Sequence, residues 1–283
     1  MLRYALFLAA ASCALPSSAA FVTFSATGPN PAAIQGTVDA YRAALGTLNP
    51  NVAGSFGTGR REINWDGVAD ALSAPNNLPA NFFNVNSPRG VVFSGPGAGF
   101  QVSATAASGT PVEFGNINAS YTNLFQTFSP QRLFTALGSN IVDVNFFIPG
   151  STTPAFTTGF GAVFSDVDLA NTTSIQFFDL ANSSLGTFFA PNFVSAAGGP
   201  ANESLSFLGV LFNAGEQIGR VRITSGNSAL GPNESLSATD LVVMDDFIYA
   251  EPRAIPEPGT ILLTIFGFAL IASSRRRIAL LNR

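Results

Sequence analysis

The 283-residue sequence contains no histidine and no lysine, its one cysteine is Cys13, its one tryptophan is Trp65, and only 11% of its residues are charged. Each absence closes off chemistry. Without His, Lys or a thiol beyond Cys13, a Ser-His-Asp triad, a Ser-Lys dyad, a Cys nucleophile, a Schiff base and a His- or Cys-ligated zinc or copper are excluded. What remains is oxygen chemistry, from carboxylates, amides, hydroxyls and backbone carbonyls.

The two ends of the chain read as addresses. Arg3, the apolar stretch Tyr4 to Ala11 and the small residues Ser18-Ala19-Ala20 predict a secretory signal peptide over 1–20, removed by signal peptidase before Phe21. Cys13 lies inside it, and Ala10 stands where a lipoprotein signal needs a Leu-like residue, so the mature chain is expected to carry no thiol and no disulfide.

At the other end Pro256-Glu257-Pro258 precedes an uncharged apolar run, Thr260 to Ala272, and then Arg275, Arg276 and Arg277. Thirteen to sixteen helical residues at ~1.5 Å each reach ~20–24 Å against a hydrocarbon core of ~30 Å, so a helix over about 259–274 is a marginal transmembrane span. The arginines would stay on the cytoplasmic side. The two prolines keep the tripeptide extended at the outer boundary, where a membrane peptidase can grip it.

Residues 255–283, with the tripeptide, the short apolar helix and the basic end in that order, resemble the PEP-CTERM sorting signal, which also goes by the name ice-binding protein C-terminal domain. The resemblance implies cleavage near Pro256-Glu257-Pro258 by an exosortase in a Gram-negative, exopolysaccharide-making bacterium. The precursor would sit in the inner membrane, and the product in the cell envelope, outer surface or extracellular matrix. The competing reading is an ordinary C-terminal anchor with a chance Pro-Glu-Pro. The sortase pattern Leu-Pro-x-Thr-Gly is absent.

Five of the thirteen basic residues, all Arg, and one of the seventeen acids lie in these signals, which leaves eight against sixteen and a net charge near −8. That balance argues against nucleic acid and anionic membrane surfaces as partners and favours mobile cations.

Residues 21–254 are long enough for one sizeable core and are expected to form one domain. Asn30-Pro31 predicts a helix start, and Ile34, Val38, Tyr41, Leu45 and Leu48 keep helical spacing until Asn49-Pro50. Arg61 to Trp65 predicts a strand that turns at Asp66-Gly67. Short apolar runs then follow at 91–93, 100–104, 141–148, 160–164, 174–178, 205–212, 218–223 and 241–249, separated by Gly/Pro/Asn/Ser clusters and without internal repeat. This pattern predicts a mainly β fold, a β-sandwich or jelly roll with one early amphipathic helix. The 27 phenylalanines would fill the facing sides of its sheets.

Four blocks of the body, Arg60 to Gly67, Ser87 to Gly90, Phe160 to Asp168 and Met244 to Tyr249, resemble a family of exported bacterial proteins of unassigned activity. The resemblance implies a setting and no reaction.

Paired carboxylates could hydrolyse glycosides. Glu62, Asp66, Glu113, Asp143, Asp166, Asp168 and Asp179 are available, but the Glu-x-Asp-x-Glu strand motif of sandwich-fold glucanases is missing, and the body is read as non-enzymatic. Hard-cation binding suits these residues better, since calcium takes six to eight oxygens. One candidate group is Asp66 with Asp245 and Asp246, should the terminal strands pair. The other is Asp166 and Asp168 with Asn171, which is not an EF-hand loop because Asn171 and Phe177 stand where Gly and Glu are required. The plain alternative is strand-end acids that accept backbone N–H bonds.

Gly95-Pro96-Gly97-Ala98-Gly99 lacks a following helix and a Lys and is a turn, not a phosphate cradle. Trp65, Tyr121 and Tyr249 could stack on sugars if exposed, with core packing the simpler role. Thr152, Thr153, Thr157 and Thr158 are too few for a flat ice-binding array. The sequence is therefore read as an exported, exosortase-processed envelope or matrix protein, structural or exopolysaccharide-associated, with no certain cofactor beyond a possible Ca²⁺. A calcium-dependent carbohydrate-binding module and a paired-carboxylate hydrolase are the alternatives.

Overall fold

A computed structural model describes residues 20–199, 201–235 and 237–256. The expected signal peptide, the transmembrane helix, Glu257, Pro258 and the basic tail lie outside the described residues. Within them no helix is long and apolar enough to cross a membrane.

The elements run β1 (Phe21–Gly28), α1 (Pro31–Leu45), β2 (Arg60–Ile63), α2 (Phe82–Val85), β3 (Val91–Ser94), β4 (Gly99–Val102), β5 (Phe134–Leu137) and β6 (Ile141–Phe146). They continue β7 (Ala155–Phe156), β8 (Gly159–Ser165), β9 (Ser174–Asp179), β10 (Ser184–Phe189), β11 (Leu205–Phe212), β12 (Ile218–Thr224), β13 (Val243–Ala250) and β14 (Arg253–Ala254). One sheet has the order β1-β11-β8-β13-β5-β4, with β2 also on β13; a second has β10-β9-β12-β6-β3; β14 pairs β7. The pairings between these strands are antiparallel.

The expected helix starts where its cap signals place it. Asn30 Oδ1 accepts the Ala33 N–H at 3.2 Å, and Pro31 occupies the first turn, where its missing donor costs nothing. Its end is a correction. Gly46, at φ 97°, turns its N–H back to the carbonyls of Arg42 and Ala43, so the helix stops at Leu45 and Leu48 is left 50% exposed on a bridge to Arg60.

The two large sheets pack face to face. Phe100, Phe134, Phe160, Phe164, Leu208 and Phe247 of the first meet Phe93, Val144, Phe146, Phe177 and Val221 of the second in one buried cluster. The outer face of the first sheet is covered by α1, whose Ile34, Val38, Tyr41 and Leu45 pack on Val163, Leu205, Phe207 and Ile248. Strand β8 is therefore buried on both sides along its whole length, with Phe160, Ala162 and Phe164 toward the second sheet and Val163 toward the helix.

Trp65 closes one end of this core. It stacks on Phe134 at 4.1 Å between centroids, meets Phe83 and Phe247 edge-on, and donates from Nε1 to the Asp245 carbonyl at 2.8 Å. Its position at φ 66° turns the chain out of β2. The tryptophan is a core residue, as expected, although the strand ends at Ile63, two residues before it.

Tyr41 is held in a slot made by two glycines opposite each other on β8 and β11, Gly161 and Gly209. A Cβ on Gly209 would stand 3.0 Å from the Tyr41 ring, and one on Gly161 would stand 2.9 Å from both that ring and the Gly209 Cα. Gly209→Ala or Gly161→Ala should therefore lower stability by ~1–3 kcal/mol through overpacking. Thermal unfolding measures it, and unchanged midpoints in both variants would refute the slot.

Candidate functional site

Chain direction reverses at the end of β8, and there the acids gather. Asp166 follows Ser165 at φ 72°, a left-handed conformation that Asp tolerates better than most residues, and its N–H donates to Ser204 O at 2.9 Å. Two positions on, the Asp168 N–H donates to Asp240 Oδ1 at 3.1 Å. The loop 225–242 passes over this corner. Asp240 is fixed in it by an N–H bond to Asn227 Oδ1 at 2.9 Å and by the Thr172 hydroxyl, which donates to Asp240 Oδ2. Gly226, at φ 62°, makes the close crossing possible, since a Cβ there would lie 2.1 Å from the Asp240 carbonyl oxygen.

The same loop brings in Glu234. One carboxylate oxygen each from Asp166, Asp168 and Glu234 lie within 4.8 Å of one another, the one such group among the described residues. Asp166 and Asp168 are 0% and 4% exposed. Neither oxygen of Asp166, neither oxygen of Asp168 and not Glu234 Oε1 has a hydrogen-bond partner of normal geometry among the described residues.

Burial, followed by the Glu234 and Asp168 charges, raises the Asp166 carboxyl well above the usual range. Asp168 is pushed up to about 6 by burial and then by Asp240, with the Ala201 backbone pulling the other way. Glu234 is raised by burial and then by Asp168. Three oxygen ligands, crowded and desolvated, have the chemistry to hold a hard cation, or a proton kept on Asp166 against Glu234.

Asp166 and Asp168 were legible in the sequence as a pair. Asn171, grouped with them there, is exposed at φ 64° and outside the acid group. Glu234 was missed, because it stands alone in a polar loop far along the chain and only the fold carries it to β8.

The other expected group does not form. β2 and β13 do pair, with Ile63 opposite Phe247, so the segments meet as the sequence suggests. Their carboxylates nonetheless go to different donors. Asp66 Oδ1 accepts the Gln131 and Arg132 N–H groups at 2.7 and 3.2 Å, and Asp245 Oδ2 accepts those of Phe128 and Ser129 at 2.6 and 3.2 Å. Asp246 takes the Ser129 hydroxyl at 2.7 Å and the Arg42 guanidinium at 3.2 Å. Here the plain alternative, acids that accept backbone N–H bonds, describes Asp66 and Asp245, and an Arg counter-ion occupies Asp246.

Glu62, Asp143 and Asp179 are similarly engaged. A cleft lined by Arg42, Asn49, Glu62, Arg89, Ser129 and Asp246 holds two carboxylates, but Arg42 Nη2 bridges them at 3.0 and 3.2 Å. Asp143 is clasped by Arg220 at 2.6 Å and Arg222 at 2.8 Å, and Asp179 Oδ1 accepts the turn N–H groups of Ala181 and Ser183. Trp65, Tyr121 and Tyr249 are all buried and present no ring to a sugar.

Arg61 forms the structural counterpart of the acid group. Fully buried, it donates to both oxygens of Glu251 at 2.6 and 2.9 Å and to the carbonyls of Pro50, Gly54 and Pro88. Glu251 follows β13 and leads into β14, after which Ile255 and Pro256 stand exposed. Residues 254–277 match the model of the PEP-CTERM protein-sorting motif. No curated protein and no solved structure matches the chain. The motif indicates an exported protein sorted by an exosortase.

Two outcomes are expected. Arg61→Met should cost ~3–5 kcal/mol by leaving Glu251 buried without a counter-ion, and Arg61→Met with Glu251→Met should recover much of it; denaturant titration of the three chains checks this, and equal losses in single and double variants would contradict it. Glu113 is raised to about 7, first by burial and then by the Glu203 charge. Its folded form thus holds a proton that the unfolded chain releases near the usual carboxylate pKa, so its contribution is fullest at low pH and is lost as pH rises through about 7. With calcium in excess, Glu113→Gln should flatten the stability profile between about pH 5 and 7, and an unchanged slope would count against the shift.

Proposed function

We propose that the protein is a non-enzymatic structural component of the cell envelope or exopolysaccharide matrix, exported as a precursor and delivered by exosortase cleavage. The observation that carries this reading is the sorting motif at 254–277, which overlaps the last strand at Arg253–Ala254. Little chain separates the body from its address. That body is thus presented at the membrane surface and released as one unit.

Support for a non-catalytic role comes from how the polar groups are used. Of the acids that could face each other across a sugar, Glu62, Asp66, Asp143, Asp179 and Asp246 are neutralised by Arg42, Arg220 and Arg222 or spent on backbone N–H groups. Few charges and abundant Asn, Ser, Thr and Gly leave a surface that suits hydrated polysaccharide without demanding a discrete sugar site.

Replacing Pro256, Glu257 and Pro258 by alanine should leave uncleaved protein in the inner membrane, read by fractionation and immunoblot. Normal processing of that variant would sink the sorting half of the proposal. The processed wild-type protein should fractionate with the exopolysaccharide and release no new reducing ends from it, and sustained release would replace the structural reading by the hydrolase.

A further inference from the structure

We infer that Asp166, Asp168 and Glu234 bind one calcium ion, which fastens the loop 225–242 to the end of the central strand β8. This goes beyond the structural role proposed above and stands or falls separately from it.

Charge and burial make the case together. Two carboxylates 0% and 4% exposed, with none of their four oxygens in a hydrogen bond of normal geometry among the described residues, converge on a third whose Oε1 is likewise without one. Burying one unpaired carboxylate costs several kcal/mol even after relaxation. Asp143, Asp245, Asp246 and Glu251, also buried, meet such a cost with an arginine or with N–H donors. No arginine forms an ion pair with any of the three among the described residues. A cation is the partner that this arrangement lacks.

Its identity follows from the donors. All are carboxylate oxygens, which select hard cations over zinc or copper. Two oxygens on opposite sides of a calcium ion with ~2.4 Å bonds are ~4.8 Å apart, and the three oxygens lie within 4.8 Å of one another. A bound magnesium ion demands a tighter, near-ideal octahedron at ~2.0–2.1 Å and gives up its water reluctantly. Calcium accepts the irregular set, with the second carboxylate oxygens and water completing its shell.

A supporting shell is already in place. Asp240 does not belong to the three, yet it accepts the Asp168 N–H, takes the Thr172 hydroxyl and is itself held by Asn227. It fixes the backbone that carries Asp168, as outer-shell groups do in metal sites. On the far side of the loop, Tyr121 accepts the Gly231 N–H at 2.7 Å and donates to Pro232 O at 2.8 Å. The ion would complete a loop anchored at both ends, over the cluster of Phe114, Leu124, Phe125, Leu133 and Leu241.

The test uses the full-length chain in detergent, stripped with a chelator, then titrated with CaCl₂ by calorimetry and followed by thermal unfolding. One site and a rise in unfolding midpoint of several degrees are expected. Asp166→Asn and Asp168→Asn should each weaken binding at least ~10-fold and, without calcium, unfold above the chelated wild type, because an amide relieves the repulsion among the acids. That opposite pair of shifts separates an ion site from acids whose removal merely weakens the fold. Glu234→Gln, on the half-buried loop, should weaken binding with an unchanged circular dichroism spectrum and gives the same reading should the aspartate variants not fold. Absence of calcium binding by the wild type, or wild-type affinity in Asp166→Asn, would overturn the site, and an equal midpoint shift with MgCl₂ would overturn the choice of ion.

Discussion

The buried guanidinium of Arg61 is the constraint on which the tail end of the molecule depends. A charge taken wholly out of water must be met by an opposite charge and by acceptors for its remaining N–H groups. Arg61 finds both, in Glu251 and in the carbonyls of Pro50, Gly54 and Pro88. Those partners lie on three separate stretches of chain, so the need to satisfy one side chain sets where the 47–59 loop, the turn before β3 and the segment after β13 must run. Tyr249 adds to the same corner by donating to the Arg89 carbonyl at 3.0 Å. Three of the four blocks that stand out in the body, Arg60 to Gly67, Ser87 to Gly90 and Met244 to Tyr249, thereby converge on one piece of architecture next to the sorting segment.

Cations are used sparingly, and two of them, Arg61 and Arg132, are buried. Of the eight arginines of the body, Arg42, Arg60, Arg61, Arg132, Arg220 and Arg222 form ion pairs, while Arg89 and Arg253 lie over the rings of Phe83 and Phe156. Twice as many acids as arginines cannot all be matched. The excess emerges at the fourth block, where Asp166 and Asp168 meet Glu234 without an arginine. In an exported protein the cation inferred above would join such a group after export.

Much of the fold could be read from residue pattern. The eight apolar runs correspond to β3, β4, β6, β8, β9, β11, β12 and β13: β8, β11 and β13, buried on both faces, are near-continuously apolar apart from Asp245 and Asp246, while β9 and β12 alternate with one face in the core. Strands β1 and β10 escaped notice, since they lie at sheet edges with Phe21, Val22 and Phe189 about half exposed and with Ser, Thr and Gly interleaved. Strand β5 was hidden by its length of four residues and by its polar Thr135. Helix α1 was overrun by three positions because Leu48 keeps the apolar spacing, while Gly46 ends the helix by backbone geometry alone.

By itself the sequence determined the C-terminal sorting motif, the capped helix, the mainly β body and the exclusion of imidazole and side-chain amine chemistry, because each of these depends on residue type or on spacing within a few turns or strands. Only the tertiary structure decided which acids stand together. Asp66 and Asp246 have the adjacent strands that pairing promised, yet N–H groups and Arg42 reach them first. Asp166 and Asp168 receive Glu234 because the 225–242 loop crosses the end of β8. Strand pairing is a matter of local pattern and register, whereas convergence of side chains depends on the paths of loops remote in sequence.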